Sequence, residues 1–272
     1  MIYRTLLLQL DLYGPIDEKV HFGWDLANRL EADLIGVAAC DIAIPPMAYS
    51  GGAVIDTDFA AREAADIEAR LNAAKERFMT LTKDSNRASW RGDVANPDHF
   101  LARQARAADL ILTGAAGAGE AGSIDVGEAI LATGRPILTI AEGEKPLQAK
   151  KILVAWKDAR EARRALTDAM PFLVNADEVV VATVDEQDRK AASESLSDVV
   201  RFLIKHGAKA RQQMIEADGR SIGEVLVEST LELGADLLVS GGFGHSRLRE
   251  WILGGATRSL LADRRVNRFL SN

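Results

Sequence analysis

The sequence predicts an α/β fold made of two tandem copies of one domain, each a five-stranded parallel sheet flanked by helices. Three observations predict it. Short runs of strand-forming residues alternate with longer amphipathic stretches along the whole chain. The same landmarks return in the same order in the second half. The 272 residues exceed the roughly 100–200 of a typical domain.

The first half supplies strand candidates at residues 6–10 (LLLQL), 34–39, 88–91, 110–113 and 137–140. Between them lie helix candidates. Residues 16–30 place Ile16, Val20, Gly23, Trp24, Ala27 and Leu30 on one stripe. Residues 57–81 are rich in Ala, Glu and Arg, with Asp56 or Thr57 as N-cap. Residues 97–107 open with Asn96 as cap and Pro97 in the first turn, and 126–133 form a short helix. The second half repeats the order, with strands at 152–155, 179–184, 210–215, 237–240 and 268–270. Its helices fall at 159–173, 191–206, 221–233 and 253–262. Strands and helices alternating at this pitch form right-handed βαβ units around a parallel sheet.

The repeat is visible residue by residue. RTLLLQLD at Arg4 matches KKILVAWK at Lys150, and ADLIGVA at Ala32 matches ADEVVVA at Ala176. AADLILTG at Ala107 matches GADLLVSG at Gly234, and GRPILTI at Gly134 matches VNRFLSN at Val266. The offset falls from 144 to 127 between the second and third pairs, so the first copy carries about 17 extra residues there. Residues 40–56 (CDIAIPPMAYSGGAVID), rich in Pro, Gly and small side chains, are that surplus. The domains are expected at 1–141 and 150–272, joined by AEGEKPLQA. The last strand of each copy is expected to pair antiparallel with the other, because a strand ending the chain needs a partner along its open edge.

Composition excludes several classes. An apolar content of 47% with 27% charged residues is globular. No apolar run reaches the ~18 residues of a membrane span, and the first residues read as a strand rather than a signal peptide. A single cysteine, Cys40, rules out an internal disulfide and points to a reducing, cytoplasmic setting. A small buried residue is its commoner role. The four histidines have no ligand spacing, so no metal site is expected. Residues 1–146 hold 14 Lys+Arg against 22 Asp+Glu, whereas the rest of the chain is nearly neutral. Neither half has the basic excess of a nucleic-acid binder. An anionic ligand is expected in the second half.

The chemistry concentrates in ADLLVSGGFGHSRLREWILGGATRSL, residues 235–260. Gly241, Gly242 and Gly244 follow a strand. Gly254, Gly255, Ala256 and Thr257 then open a helix. Glycines let backbone N–H groups approach an anion, and a helix N-terminus adds free donors and partial positive charge. A loop after a parallel strand is where α/β sheets place ligands. His245 and Arg247 are phosphate partners or solvated loop residues; both readings stay open.

Gly241-x2-Gly244-x9-Gly254, with ILVAWKDAREARRAL at Ile152 and ADLLVSGG at Ala235, resembles the ATP-binding universal stress proteins. The resemblance covers 150–272 well and 1–141 as a diverged copy. It implies two Rossmann-like domains of the adenine nucleotide α-hydrolase type. It also implies ATP, ADP or AMP bound in the second domain, with Mg2+ as the accompanying ion. By the same resemblance Gly241, Gly244 and Gly254 cradle phosphate, and Gly255, Ala256 and Thr257 open the capping helix. Ala155, Trp156 and Val184 then lie on the base side, and Lys157 attracts the anion. Two positions depart from the family pattern. Gly255 stands where Ser or Thr follows the last glycine, and Lys157 stands where an Asp closes the first strand. Trp156 either stacks on a base or, more commonly for a strand end, packs in the core. In the first copy Asp11 occupies the slot of Lys157, but its loop carries Glu120, Asp125 and Glu128 and no base.

The resemblance implies a stress-response or signalling protein that acts as a sensor. No general base or metal carboxylate is evident, so any ATP hydrolysis is slow. A homodimer is expected; nucleic-acid and membrane partners are not. The chief alternative is a ligand-free interaction module that docks a partner through 40–56 and keeps a vestigial nucleotide site. An ATP pyrophosphatase would need a Ser-Gly-Gly loop where this chain has Trp156-Lys157-Asp158. An electron-transfer flavoprotein-like role has equally little support.

Overall fold

The computed structural model describes residues 2–42, 57–114, 122–143, 146–184, 188–242, 260 and 263–272. The first half runs β1 (Thr5–Gln9), α1 (Asp17–Leu30), β2 (Asp33–Cys40), α2 (Thr57–Leu81), β3 (Ala88–Val94), α3 (Pro97–Gln104), β4 (Leu110–Gly114), α4 (Val126–Thr133) and β5 (Ile137–Ile140). The second half runs β6 (Lys151–Ala155), α5 (Arg160–Asp168), α6 (Met170–Leu173), β7 (Glu178–Val184), α7 (Arg189–Lys205), β8 (Ala210–Ile215), α8 (Ile222–Glu232), β9 (Leu237–Gly241) and β10 (Asn267–Ser271). Residues 43–56 of the expected insertion, and most of the helix expected at 253–262, lie outside the described residues.

All ten strands form one sheet in the order β3-β2-β1-β4-β5-β10-β9-β6-β7-β8. Within each half every neighbour is parallel. At the centre β10 runs antiparallel to β5, pairing Phe269 with Leu138 and Leu270 with Ile137. Each half is therefore a five-stranded parallel sheet, and the two share one hydrogen-bonded plane.

Parallel strands covered on both faces are apolar along their whole length, with alternate residues entering different cores. Leu6, Leu8, Ile152, Val154, Val179 and Val181 enter one core, which runs unbroken across the seam beneath α1, α2, α5, α6 and α7. Their neighbours face the other way. Leu7 joins Phe100, Leu101 and Ile130 in the first half. Leu153, Val180 and Ala182 join Val225 and Leu226 in the second.

The local signals act as their chemistry predicts. Asn96 accepts from His99 N at 3.1 Å with Pro97 behind it, and Asp125 accepts from Glu128 N at 3.0 Å. Ser221 and Glu224 cap α8 reciprocally. The helix expected over 159–173 is instead two, α5 and α6, meeting at Ala169. Pro171 has no N–H to continue the ladder, so it sits in the first turn of a new helix. Strand β3 extends to Val94, beyond the expected 88–91, because pairing with β2 carries the polar residues Arg91 to Asp93 into the sheet. Repeated acids anchor both halves. Asp109 accepts from Arg4 N and Thr5 N, and Asp236 accepts from Gln148 N and Ala149 N.

The seam carries its own polar contacts. Tyr3 donates to the Asp168 carbonyl, while Ser271 donates to Asp168 Oδ2 at 2.6 Å. The rings of Tyr3, Phe172 and Phe269 follow one another at 5.5 and 6.1 Å. These contacts tie β1 of one half to α5, α6 and β10 of the other.

Candidate functional site

In the second half the chain leaves β6 towards β7 on one side, then returns from β8 to β9 on the other. The two directions part between β6 and β9, which opens a crevice at the carboxyl ends of those strands. Ala155, the last residue of β6, lies level with Ser240 of β9 and Ala182 of β7. Lys157 stands exposed just beyond Ala155, and the glycine-rich segment begins at Gly241. Strand order thus brings Ala155, Lys157, Val184 and Gly241 to one rim.

Each described residue at this rim has a definite environment. Gly241 lies beneath the first turn of α5. A Cβ there would come within 2.6 Å of Ala162 N and 2.7 Å of the Glu161 carbonyl carbon. Its lack of a side chain admits a helix, so the space beside it is filled by protein. Gly242 donates its N–H to Ser271 O at 2.7 Å, and a Cβ on it would meet Ile130 of the first half at 3.2 Å. Trp156 is buried in the large core, and its indole N–H donates to Ser195 Oγ at 2.9 Å. Ala155 and Val184 pack in the smaller core of the second half. Gly244, His245, Gly254, Gly255, Ala256 and Thr257 lie outside the described residues.

Glu161 is the residue that the sequence reading missed. Glu161 is 5% exposed, and among the described residues its Oε1 has no hydrogen-bond partner. Nothing local in the sequence signals this, because the burial comes from Gly241 of a distant strand. Its neighbour Asp158 pairs with Arg163. A buried carboxylate oxygen with no partner is an acceptor left over for a cation or a donor.

The corresponding crevice in the first half lies between β1 and β4, and the chain's own side chains occupy it. Asp11 is buried, and its Oδ1 accepts from Tyr13 N at 2.9 Å. Gln9 accepts from Thr113 Oγ1 at 2.9 Å and donates to Gly122 O at 3.4 Å. Lys19 of α1 lies over Gly114, with Cε 2.6 Å from where a Cβ would stand. The N-terminal amides of α4 face carboxylates, because Asp125 caps them and Asp98 accepts Asp125 N at 2.9 Å. An anion approaching this helix end meets like charge. Cys40 is buried and unbridged, and burial pushes its thiol pKa up, which keeps it protonated and unreactive. Among the described residues no cluster of His, Cys, Asp or Glu could hold a metal ion, and no helix is long and apolar enough to cross a membrane.

No family model and no curated protein matches the sequence. Solved structures do match the fold. A universal stress protein from Archaeoglobus fulgidus DSM 4304 superposes with a TM-score of 0.70 at 15% identity, over 98% of this chain and 96% of its own. A functionally unknown protein from Pseudomonas aeruginosa PAO1 gives 0.61 at 14% identity, over 99% and 92%. These likenesses run through both halves and the seam between them. The chain therefore has the universal stress protein fold, in two tandem copies.

Proposed function

We propose that the chain is a universal stress protein that binds an adenine nucleotide, ATP, at the β6–β9 crevice, and that it acts in a cytoplasmic stress response or in signalling. Residues 1–141 and 150–272 are its two domains, and only the second binds. The observation carrying this reading is the switch in strand order between β6 and β9. It sets exposed Lys157 and the start of the glycine-rich segment on one rim. The near-neutral charge of this half and the filled first-half crevice support the same choice. Gly241 and Gly242 are already engaged with α5 and Ser271, so the phosphate cradle falls to Gly244, Gly254 and the residues that follow it. Glu161 Oε1 opposes a bare phosphate and favours one neutralised by Mg2+. Trp156 takes no part in base stacking.

Calorimetry of the purified chain with ATP, ADP, AMP and cyclic AMP, with and without Mg2+, tests the reading. Saturable heat with ATP that disappears in Gly244→Val, with an unchanged far-UV CD spectrum, is expected. Absence of heat at millimolar nucleotide would sink it. That result would favour the second reading, an interaction module with a vestigial site, to which Gly255 and the occupied space beside Gly241 already point.

A further inference from the structure

Among the described residues the ten-stranded sheet ends at β3 and β8, and the electrostatics of these two edges differ. At β8 the cations have acid partners. Arg211 pairs with Glu178 at 2.7 Å, and Lys209, just before the strand, pairs with Asp177 at 3.7 Å. At β3 they mostly do not. A groove of about 850 Å3 follows this strand, with residues 90–94 as its floor. Glu68 and Lys75 of α2 stand on one wall, and Arg103 of α3 and Arg106, just beyond that helix, stand on the other. Arg103 pairs with Asp93 at 3.2 Å. Among the described residues Arg91 bonds to the neutral Gln104 amide, at 2.8 Å, and to no acid. Among the described residues Lys75 and Arg106 have no acid partner. Among the described residues three cations without an acid partner therefore stand beside one carboxylate without a basic partner, Glu68, in the half of the chain that is otherwise strongly acidic.

We propose that this groove docks an extended acidic peptide segment of a partner protein, which adds as an eleventh strand beside β3. Among the described residues no strand lies beyond β3, so its outer N–H and C=O groups offer main-chain hydrogen bonds to such a segment. The seven residues of β3 match a segment of about seven residues at ~3.3 Å each. Side chains alternate across the added strand, so acidic residues at every second position face Arg91, Arg103 and Arg106 together. Apolar residues between them lie towards Trp90 and Leu71 on the α2 side. A second copy of the chain is the poorer occupant. Its own β3 groove carries the same cations, so two copies set edge to edge would bring like charges together.

Fluorescence anisotropy of the full chain with a labelled octapeptide alternating Glu and Val tests this. Saturable binding is expected, weakened about tenfold in the double variant Arg103→Glu, Arg106→Glu and unchanged in Lys209→Glu at the other edge. Both altered side chains are exposed, and far-UV CD checks that the fold is kept. A Lys/Val octapeptide is expected not to bind. A backbone N-methylated Glu/Val octapeptide, which cannot donate to the strand, is expected to bind about tenfold more weakly. Absence of saturable binding at millimolar peptide, equal binding of the Lys/Val peptide, or indifference to the charge reversal would each overturn the proposal. So would a dimer in sedimentation equilibrium that the double variant breaks while the peptide fails to compete, since that assigns the edge to a second copy.

Discussion

Arg268 and Thr139 face each other across the antiparallel pair that joins the two halves, and Arg268 Nε donates to Thr139 Oγ1 at 2.9 Å. Arg268 is 1% exposed, donates also to the Leu260 carbonyl, and among the described residues leaves Nη2 without a partner. Burial pushes its pKa down to about 10, with Asp263 opposing the shift. The folded state thus disfavours the charged form. Between about 10 and the ordinary guanidinium value the unfolded chain binds more protons, so this residue's contribution to stability rises with pH there. Replacing a poorly compensated buried charge with an apolar side chain of similar length removes the desolvation cost. Arg268→Met is expected to raise stability by about 1–2 kcal/mol in urea titration. A lower midpoint would mean that the bonds to Thr139 and Leu260 outweigh desolvation.

Asp168 makes the opposite prediction. It is 2% exposed and accepts from Ser271 at 2.6 Å and from Arg164 at 2.8 Å, while its carbonyl takes the Tyr3 hydroxyl. Removing the carboxylate strands the Ser271 hydroxyl in the core. Asp168→Ala is expected to cost about 2–3 kcal/mol. A double-mutant cycle with Ser271→Ala is expected to show coupling of about 1 kcal/mol. Additive losses would count against a shared bond.

The two glycines ending β9 and β4 differ in what lies over them. At Gly241 the obstacle is α5 backbone; at Gly114 it is the flexible end of Lys19. Gly241→Ala is expected to destabilise by about 2 kcal/mol or more, because a helix must shift. Gly114→Ala is expected to cost less than about 1 kcal/mol, since Lys19 can swing to solvent. Equal losses in thermal melts would refute the contrast.

Near β8, hydrogen bonds from Arg211 and Lys151 hold the Glu178 carboxyl below its ordinary value. A carboxylate depressed in the folded state contributes fully above its unfolded pKa, and the contribution fades as pH falls through the folded value. Glu178→Gln is therefore expected to lower stability at neutral pH, to change it least below the folded value, and so to flatten the acid limb of the profile. An unchanged acid limb would show that other carboxylates govern it.

Much of this was legible in the chain. Apolar runs bounded by turn residues gave the strand positions. Matching landmarks gave the duplication, because a repeated domain repeats its periodicities. Asn96 with Pro97 marked a helix start, since capping chemistry is local. Pro171 was equally visible, but the long apolar stripe around it hid the break between α5 and α6.

The sequence by itself determined the element order, the two copies and the side of each sheet that any ligand must approach. All three follow from local propensity, period and the handedness of βαβ units. Only the tertiary structure decided what each rim residue does. It turned Trp156 into the core onto Ser195, and it laid the first turn of α5 over Gly241 and buried Glu161 beside it. It also gathered Lys75, Arg91 and Arg106 along the β3 edge of the sheet. These outcomes depend on contacts between elements far apart in the chain, and sequence spacing carries no record of such approaches.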